Sequence, residues 1–174
     1  MQHAHVPILG FVAASGTGKT TLLEQIIPIL QQQGVRVGLI KHSHHNFQID
    51  QPGKDSFRLR AAGASQVMLV STHRRAIITE IVPTHEPSLD AELKLFDQSL
   101  VDLVLVEGFK AEKFPKIELH RPLLKHPLLY PNDTDIIAIA SDELLELPEY
   151  LPNLDINQPQ MVVDFILKEF MEKL

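Results

Sequence analysis

The 174-residue chain has no cysteine, which removes disulfides, thiolate zinc sites and iron–sulfur clusters in one step. Any metal must then be held by His, Asp, Glu or hydroxyl oxygens. A basic excess is missing too: 16 Lys and Arg against 22 Asp and Glu give a formal charge of −6, with a pI near 5.8. A general nucleic-acid or membrane-surface binder neutralises phosphates with surplus cations, so neither role fits. Nor does any apolar segment approach the roughly 18 residues that span a bilayer. The opening MQHAHVPILGFVAAS has the apolar run of a signal peptide but no Lys or Arg ahead of it. The expectation is a soluble cytoplasmic protein with neither nucleic acid nor membrane as a partner. No internal repeat or low-complexity tract is present, and 44% hydrophobic residues suffice for one well-buried domain over 1–174.

What is there is alternation. Runs rich in Val, Ile and Leu exchange with helical patterns, which predicts an α/β fold: a mostly parallel sheet with helices on both faces. Strands are expected over 6–13, 35–41, 66–71, 76–82, 103–107, 116–120 and 136–140, several of them almost purely apolar as in strands covered on both sides. The pair at 66–82 reads as an antiparallel hairpin, because STHRR is too short for a crossover helix. Helices are expected over 19–33, 56–62, 89–98 and 160–173. Gly34 closes the first, Pro28 interrupts it, Asp55 or Ser56 caps the second and Asn157 caps the last. The Pro-punctuated stretch 121–134 reads as a connector, with a mobile arm or partner surface as the other option.

The first strand runs into ASGTGKT, a phosphate loop in its required setting between a strand and a helix. Ser15, Gly16, Thr17, Gly18, Lys19, Thr20 and Thr21 form the candidate nucleotide site. Glycines let main-chain amides turn toward an anion, the helix N-terminus adds positive potential, Lys19 reaches the terminal phosphates and Thr20 holds Mg²⁺. The first glycine of the pattern is Ala13 here, acceptable only at a negative φ.

Such a loop needs a carboxylate near its metal. In DLVLVEGF, Asp102 and Glu107 stand at opposite ends of one strand, about 16 Å apart at ~3.3 Å per residue. Ligands gather at the carboxyl ends of parallel strands, which selects Glu107 and leaves Gly108 to bring the chain close to phosphate. The competing role for Glu107 is a surface pair with Lys110 or Lys113. IKHSHHNFQID delivers Lys41 and His42 to the same edge as candidate phosphate or water contacts, and Asp50 as a candidate metal or water-orienting carboxylate. A transition-metal site from His42, His44 and His45 is disfavoured, since adjacent residues on a strand point opposite ways. Lys54, Arg58 and Arg60 fit an anionic contact or a solvated helix face equally. Asp142, at the end of IIAIASD, is placed to accept from N1 and N2 of guanine, a donor pair adenine lacks. A plain helix cap explains it as cheaply.

FVAASGTGKTTLLEQIIPIL, GLIKHSHH, PGKDSFRLRAAGA, LVLVEGF and IIAIASD, in that order, resemble the molybdopterin-guanine dinucleotide biosynthesis protein B (MobB) family over about residues 6 to 170. The resemblance implies a homodimeric GTP-binding protein with weak GTPase activity, using GTP and Mg²⁺ and assisting attachment of GMP to molybdopterin. The transfer itself would belong to a partner, the molybdenum cofactor guanylyltransferase, with other molybdenum cofactor enzymes as further partners. Residues 15 to 21 match the family's phosphate loop and Glu107 its acidic strand end, giving Lys19, Glu107 and Asp50 as the candidate catalytic set and Thr20, Glu107 and Asp50 as the metal set. Two other functions stay open: a small-molecule kinase with 121–134 as its lid, and a binding module without turnover. The sequence offers no obvious arginine finger within the chain, which leaves a partner or second subunit to supply one.

Overall fold

A computed structural model describes residues 1–43, 47–82 and 86–172. His44 and His45, and with them the histidine cluster, lie outside the described residues. The chain divides into two compact units, Met1–His42 with Pro87–Leu174, and Ser43–Glu86.

The larger unit is built on a six-stranded sheet with all neighbours parallel: β1 (Ile8–Ala13), β2 (Val37–Lys41), β5 (Leu103–Glu107), β6 (Lys116–His120), β7 (Ile136–Ser141) and β8 (Asn153–Asp155). Their spatial order is β2-β5-β1-β6-β7-β8, so β1 sits between two strands that follow it far along the chain. Alternate residues of each strand face opposite sides, and each side has its own core. Leu9, Phe11, Leu105 and Ile117 pack with α1 (Lys19–Gln32) and with α4 (Pro159–Phe165), which runs on into a π-helical turn, Ile166–Met171. Ile8, Val104 and Val106 pack instead with Leu89 and Leu93 of α3 (Leu89–Leu95). Helices therefore cover both faces.

The register fixes the site's edge. Gly10 pairs with Val106 on one flank and with Lys116 on the other, and Lys41 pairs with Glu107. The carboxyl ends of β1, β2, β5, β6 and β7 consequently finish on one edge, where open parallel sheets place their ligands. Gly10 allows this closeness, since a Cβ there would stand 2.7 Å from the Phe114 ring and 2.9 Å from Lys116 Cγ.

The smaller unit holds α2 (Asp55–Ala61) and the hairpin of β3 (Gln66–Val70) and β4 (Arg75–Thr79), antiparallel as expected. Neither Asp55 nor Ser56 caps α2: Lys54 occupies the cap position with no side-chain hydrogen bond. The last helix departs from expectation in the same way, with Gln158 in place of Asn157 at its cap position and no side-chain hydrogen bond there. Among the described residues no helix is long and apolar enough to cross a membrane.

Candidate functional site

The phosphate loop leaves β1 at Ala13, and its turn is made by Gly16 at φ +79° and Gly18 at φ +102°. Both lie in the left-handed region where a side chain would be strained. Ala13 ends the strand without a positive φ, so the alanine in place of the pattern's first glycine is unstrained. Thr17 is buried and its hydroxyl donates to the Ala14 carbonyl at 2.9 Å, tying the loop to itself. Gly18 then opens α1 with no side chain capping the first amides. Those free N–H groups and the helix dipole together favour an anion.

Lys19 begins the helix half-buried, and its ammonium has no hydrogen-bond or ion-pair partner among the described residues. Burial pushes its pKa below the ordinary lysine value, with Glu107 opposing and Lys110 and Lys41 reinforcing that fall. A desolvated, unpaired cation beside open helix amides is a group awaiting negative charge. Glu107 ends β5 with a side chain 15% exposed and pairs with Lys41 at 3.0 Å, not with Lys110 or Lys113. Lys41, Glu107 and Lys19 thus share one electrostatic neighbourhood, as their residue types suggested. Thr20 and Ser15 are exposed at the loop.

His42 continues β2. Its amide donates to the Glu107 carbonyl at 2.8 Å, and its ring stacks on Phe109 with centroids 4.7 Å apart. This contact explains Gly108: a Cβ there would lie 2.7 Å from His42 Cβ, and φ is +101°. The glycine serves the approach of β2, where the sequence had suggested an approach to phosphate.

Three contributors escaped the sequence. Lys110 donates from Nζ to the Ala13 carbonyl at 2.9 Å, across 97 residues. Arg121, just past β6, donates from Nε to the Thr17 carbonyl at 3.0 Å and pairs with Asp142 at 2.6 Å. The chain therefore sets an arginine against the loop, one that the sequence did not single out. Asn157 lines a cavity of about 180 Å³ with Gly18, Thr21, Gln25, Arg121 and Pro159, beside the start of α1. Asp142 stands at this edge with one oxygen on Arg121 and the other, Oδ1, buried without a partner. A buried acceptor lacking a donor is costly.

Asp50 belongs to the smaller unit. Its buried carboxylate takes Arg60 at 2.9 Å, and Arg60 also reaches Glu80 at 2.7 Å. Arg60 is thus bound to carboxylates, while Arg58 pairs loosely with Asp55 on the surface. Among the described residues no three His, Asp or Glu side chains converge as a self-sufficient metal cage. The hydroxyl of Thr20 and the carboxylate of Glu107 are the hard oxygen donors that Mg²⁺ accepts alongside phosphate and water.

Comparison with known proteins agrees with this geometry. The family model described as "Molybdopterin guanine dinucleotide synthesis protein B" (MobB) matches residues 8–142. The molybdopterin-guanine dinucleotide biosynthesis adapter protein of Haemophilus influenzae is 50% identical over 163 residues, covering 92% of this chain and 88% of that protein. Its Escherichia coli namesake is 47% identical over 169 residues, covering 97% and 95%. Among solved structures, a Bacillus subtilis MobB crystal structure superposes with a TM-score of 0.73 at 26% identity, covering 94% of this chain and 97% of that one. With the phosphate loop, the parallel sheet and these relatives in accord, the chain belongs to the MobB family.

Proposed function

We propose that this protein is a GTP-binding adaptor in molybdenum cofactor biosynthesis, working in the cytoplasm as a homodimer beside the enzyme that joins the guanine nucleotide to molybdopterin. The adaptor role comes from the names of its relatives. The nucleotide rests on one observation above all, the unpaired Lys19 beside the open amides of α1.

In this reading residues 15–21 cradle the phosphates, Lys41 and His42 contact them from β2, and Thr20 and Glu107 hold Mg²⁺, which when bound neutralises charge on the terminal phosphates. Glu107 would exchange its Lys41 partner for the metal. Asp50, the other carboxylate named for the metal or for orienting water, is committed to Arg60 within the smaller unit. Arg121 adds a fixed positive group at the loop, which supports slow GTP hydrolysis aided by Lys19. Asp142, with an oxygen lacking a donor, supplies the acceptor a guanine edge would satisfy. The exposed apolar side chains Met68, Val70 and Ile77 of the hairpin support self-association.

Calorimetric titration with GTP and ATP, each with Mg²⁺, tests this reading. GTP should bind at one site per chain and ATP at least about tenfold more weakly, with the preference abolished in Asp142→Ala. Failure of GTP to bind would end the proposal, and an unchanged preference in Asp142→Ala would remove that residue from base recognition.

A further inference from the structure

The phosphate loop has two sides, and the nucleotide reading uses one. On the other, against β6, lies a second cavity of about 240 Å³, which shares Arg121 with the first. Ala14 and Thr17 form its wall toward the loop, Lys110, His120, Arg121 and His126 bring basic groups to it, and Leu124 and Leu129 line it with apolar surface. Glu118 is the carboxylate at this cavity, and both its oxygens already accept main-chain amides, from Leu129 at 2.8 Å and Tyr130 at 3.0 Å. It holds the far wall in place. Two permanent cations and two imidazoles around one committed carboxylate, in a chain whose formal charge is −6, form a local inversion of sign that attracts an anion.

The two cations keep capacity in reserve. Lys110 spends one ammonium hydrogen on the Ala13 carbonyl, and Arg121 spends Nε and Nη1 on Thr17 and Asp142, leaving Nη2. Size narrows the ligand: drug-sized pockets run to about 300–1,000 Å³, so this one is too small for a nucleotide and suits a single ring carrying one phosphate. We propose that the cavity between β6, Lys110 and residues 121–129 is a second ligand site, which takes a compact ring-bearing phosphomonoester, its phosphate toward Lys110 and Arg121 and its ring against Leu124 and Leu129. The connector 121–134 then serves as the site's outer wall. The site does not depend on a nucleotide being bound.

The probe is phenyl phosphate, titrated calorimetrically into the full chain, alone and after saturation with Mg²⁺ and a non-hydrolysable GTP analogue. One saturable site with Kd at or below about 1 mM is expected in both arms, with inorganic phosphate weaker. Leu124→Glu, which fills the apolar wall with negative charge, should weaken phenyl phosphate at least about tenfold while leaving nucleotide affinity and the melting temperature unchanged. His126→Ala, at an exposed position, gives a second variant expected to weaken it severalfold. Absence of saturable binding, displacement of the nucleotide by phenyl phosphate, or indifference to both substitutions would each overturn the site. Leu124-dependent binding in a chain that holds no nucleotide would sustain this site while refuting the nucleotide reading.

Discussion

The two units are held together by different physics. In the phosphate-loop unit Leu9, Leu105 and Ile117 are fully buried between sheet and helices. In the smaller unit no described residue of α2, β3 or β4 is buried, and Met68, Val70 and Ile77 are more than half exposed. Its organising feature is polar: Arg60 spans Asp50 and Glu80, with its guanidinium 5.2 Å above the Phe57 ring. A buried core makes one unit a rigid platform for an anion site. A hairpin without a core of its own leaves apolar side chains available to another chain.

The largest effect should separate the units by stability. Leu105→Ala empties a fully buried position in β5 and should cost about 3–5 kcal/mol, the range for a leucine lost from a close-packed core. Val70→Ala, at a side chain 68% exposed, should cost less than about 0.5 kcal/mol. Denaturant midpoints measure both, and comparable losses would break the contrast. Next comes binding. Lys19→Ala should weaken GTP about a hundredfold, or ~2.8 kcal/mol at 1.4 kcal/mol per decade, with the melting curve preserved. If Arg60→Ala weakened GTP as much, the contrast between an anion platform and a polar hub would fail.

How far the sequence revealed each unit follows from the same contrast. β5 spans 103–107 as its sequence predicts, because LVLV is the continuous apolar run of a strand covered on both faces, and β6 spans 116–120, where Ile117 and Leu119 alternate with Lys116, Glu118 and His120. The three-residue β8 was missed, since Asn153–Asp155 carries no such run. α3 is shorter than the expected 89–98: Phe96 turns to ψ 127°, ending the helix at Leu95, and Gln98 is buried donating to the carbonyls of His3 and Leu93. At the site, the loop was legible from local spacing. Lys110 and Arg121 were not, for their contacts with Ala13 and Thr17 depend on which strands flank β1, a fact of topology that no local window contains.

Arg60→Ala also probes the hairpin directly. With the bridge between Asp50 and Glu80 gone, hydrogen exchange at the amides of β3 and β4 should quicken by about tenfold or more, because little apolar burial remains to resist local opening. Amides of β1 and β5 should keep their protection. An unchanged hairpin would mean that its own cross-strand hydrogen bonds suffice, and the polar hub would lose its organising role.

The smallest effect concerns a polar clamp inside the apolar unit. Asp102 accepts from the Arg36 main-chain amide at 2.9 Å and from its guanidinium at 2.9 and 2.6 Å, joining the chain just ahead of β2 to that just ahead of β5. The Arg36 side chain, then its amide, hold the Asp102 carboxyl at about 2, below the ordinary 3.8. A depressed folded-state pKa stabilises above the unfolded value and loses that contribution as pH falls through the window from 3.8 toward 2. Asp102→Asn has no such proton to take up, so its stability should fall less steeply than wild type over that window and lie slightly below it at neutral pH. Both partners are partly exposed, and salt should shrink the difference. Urea midpoints across the window, at low and high ionic strength, measure it. Parallel slopes for the two proteins would show that the phosphate-loop unit relies on its core alone at this end of the sheet.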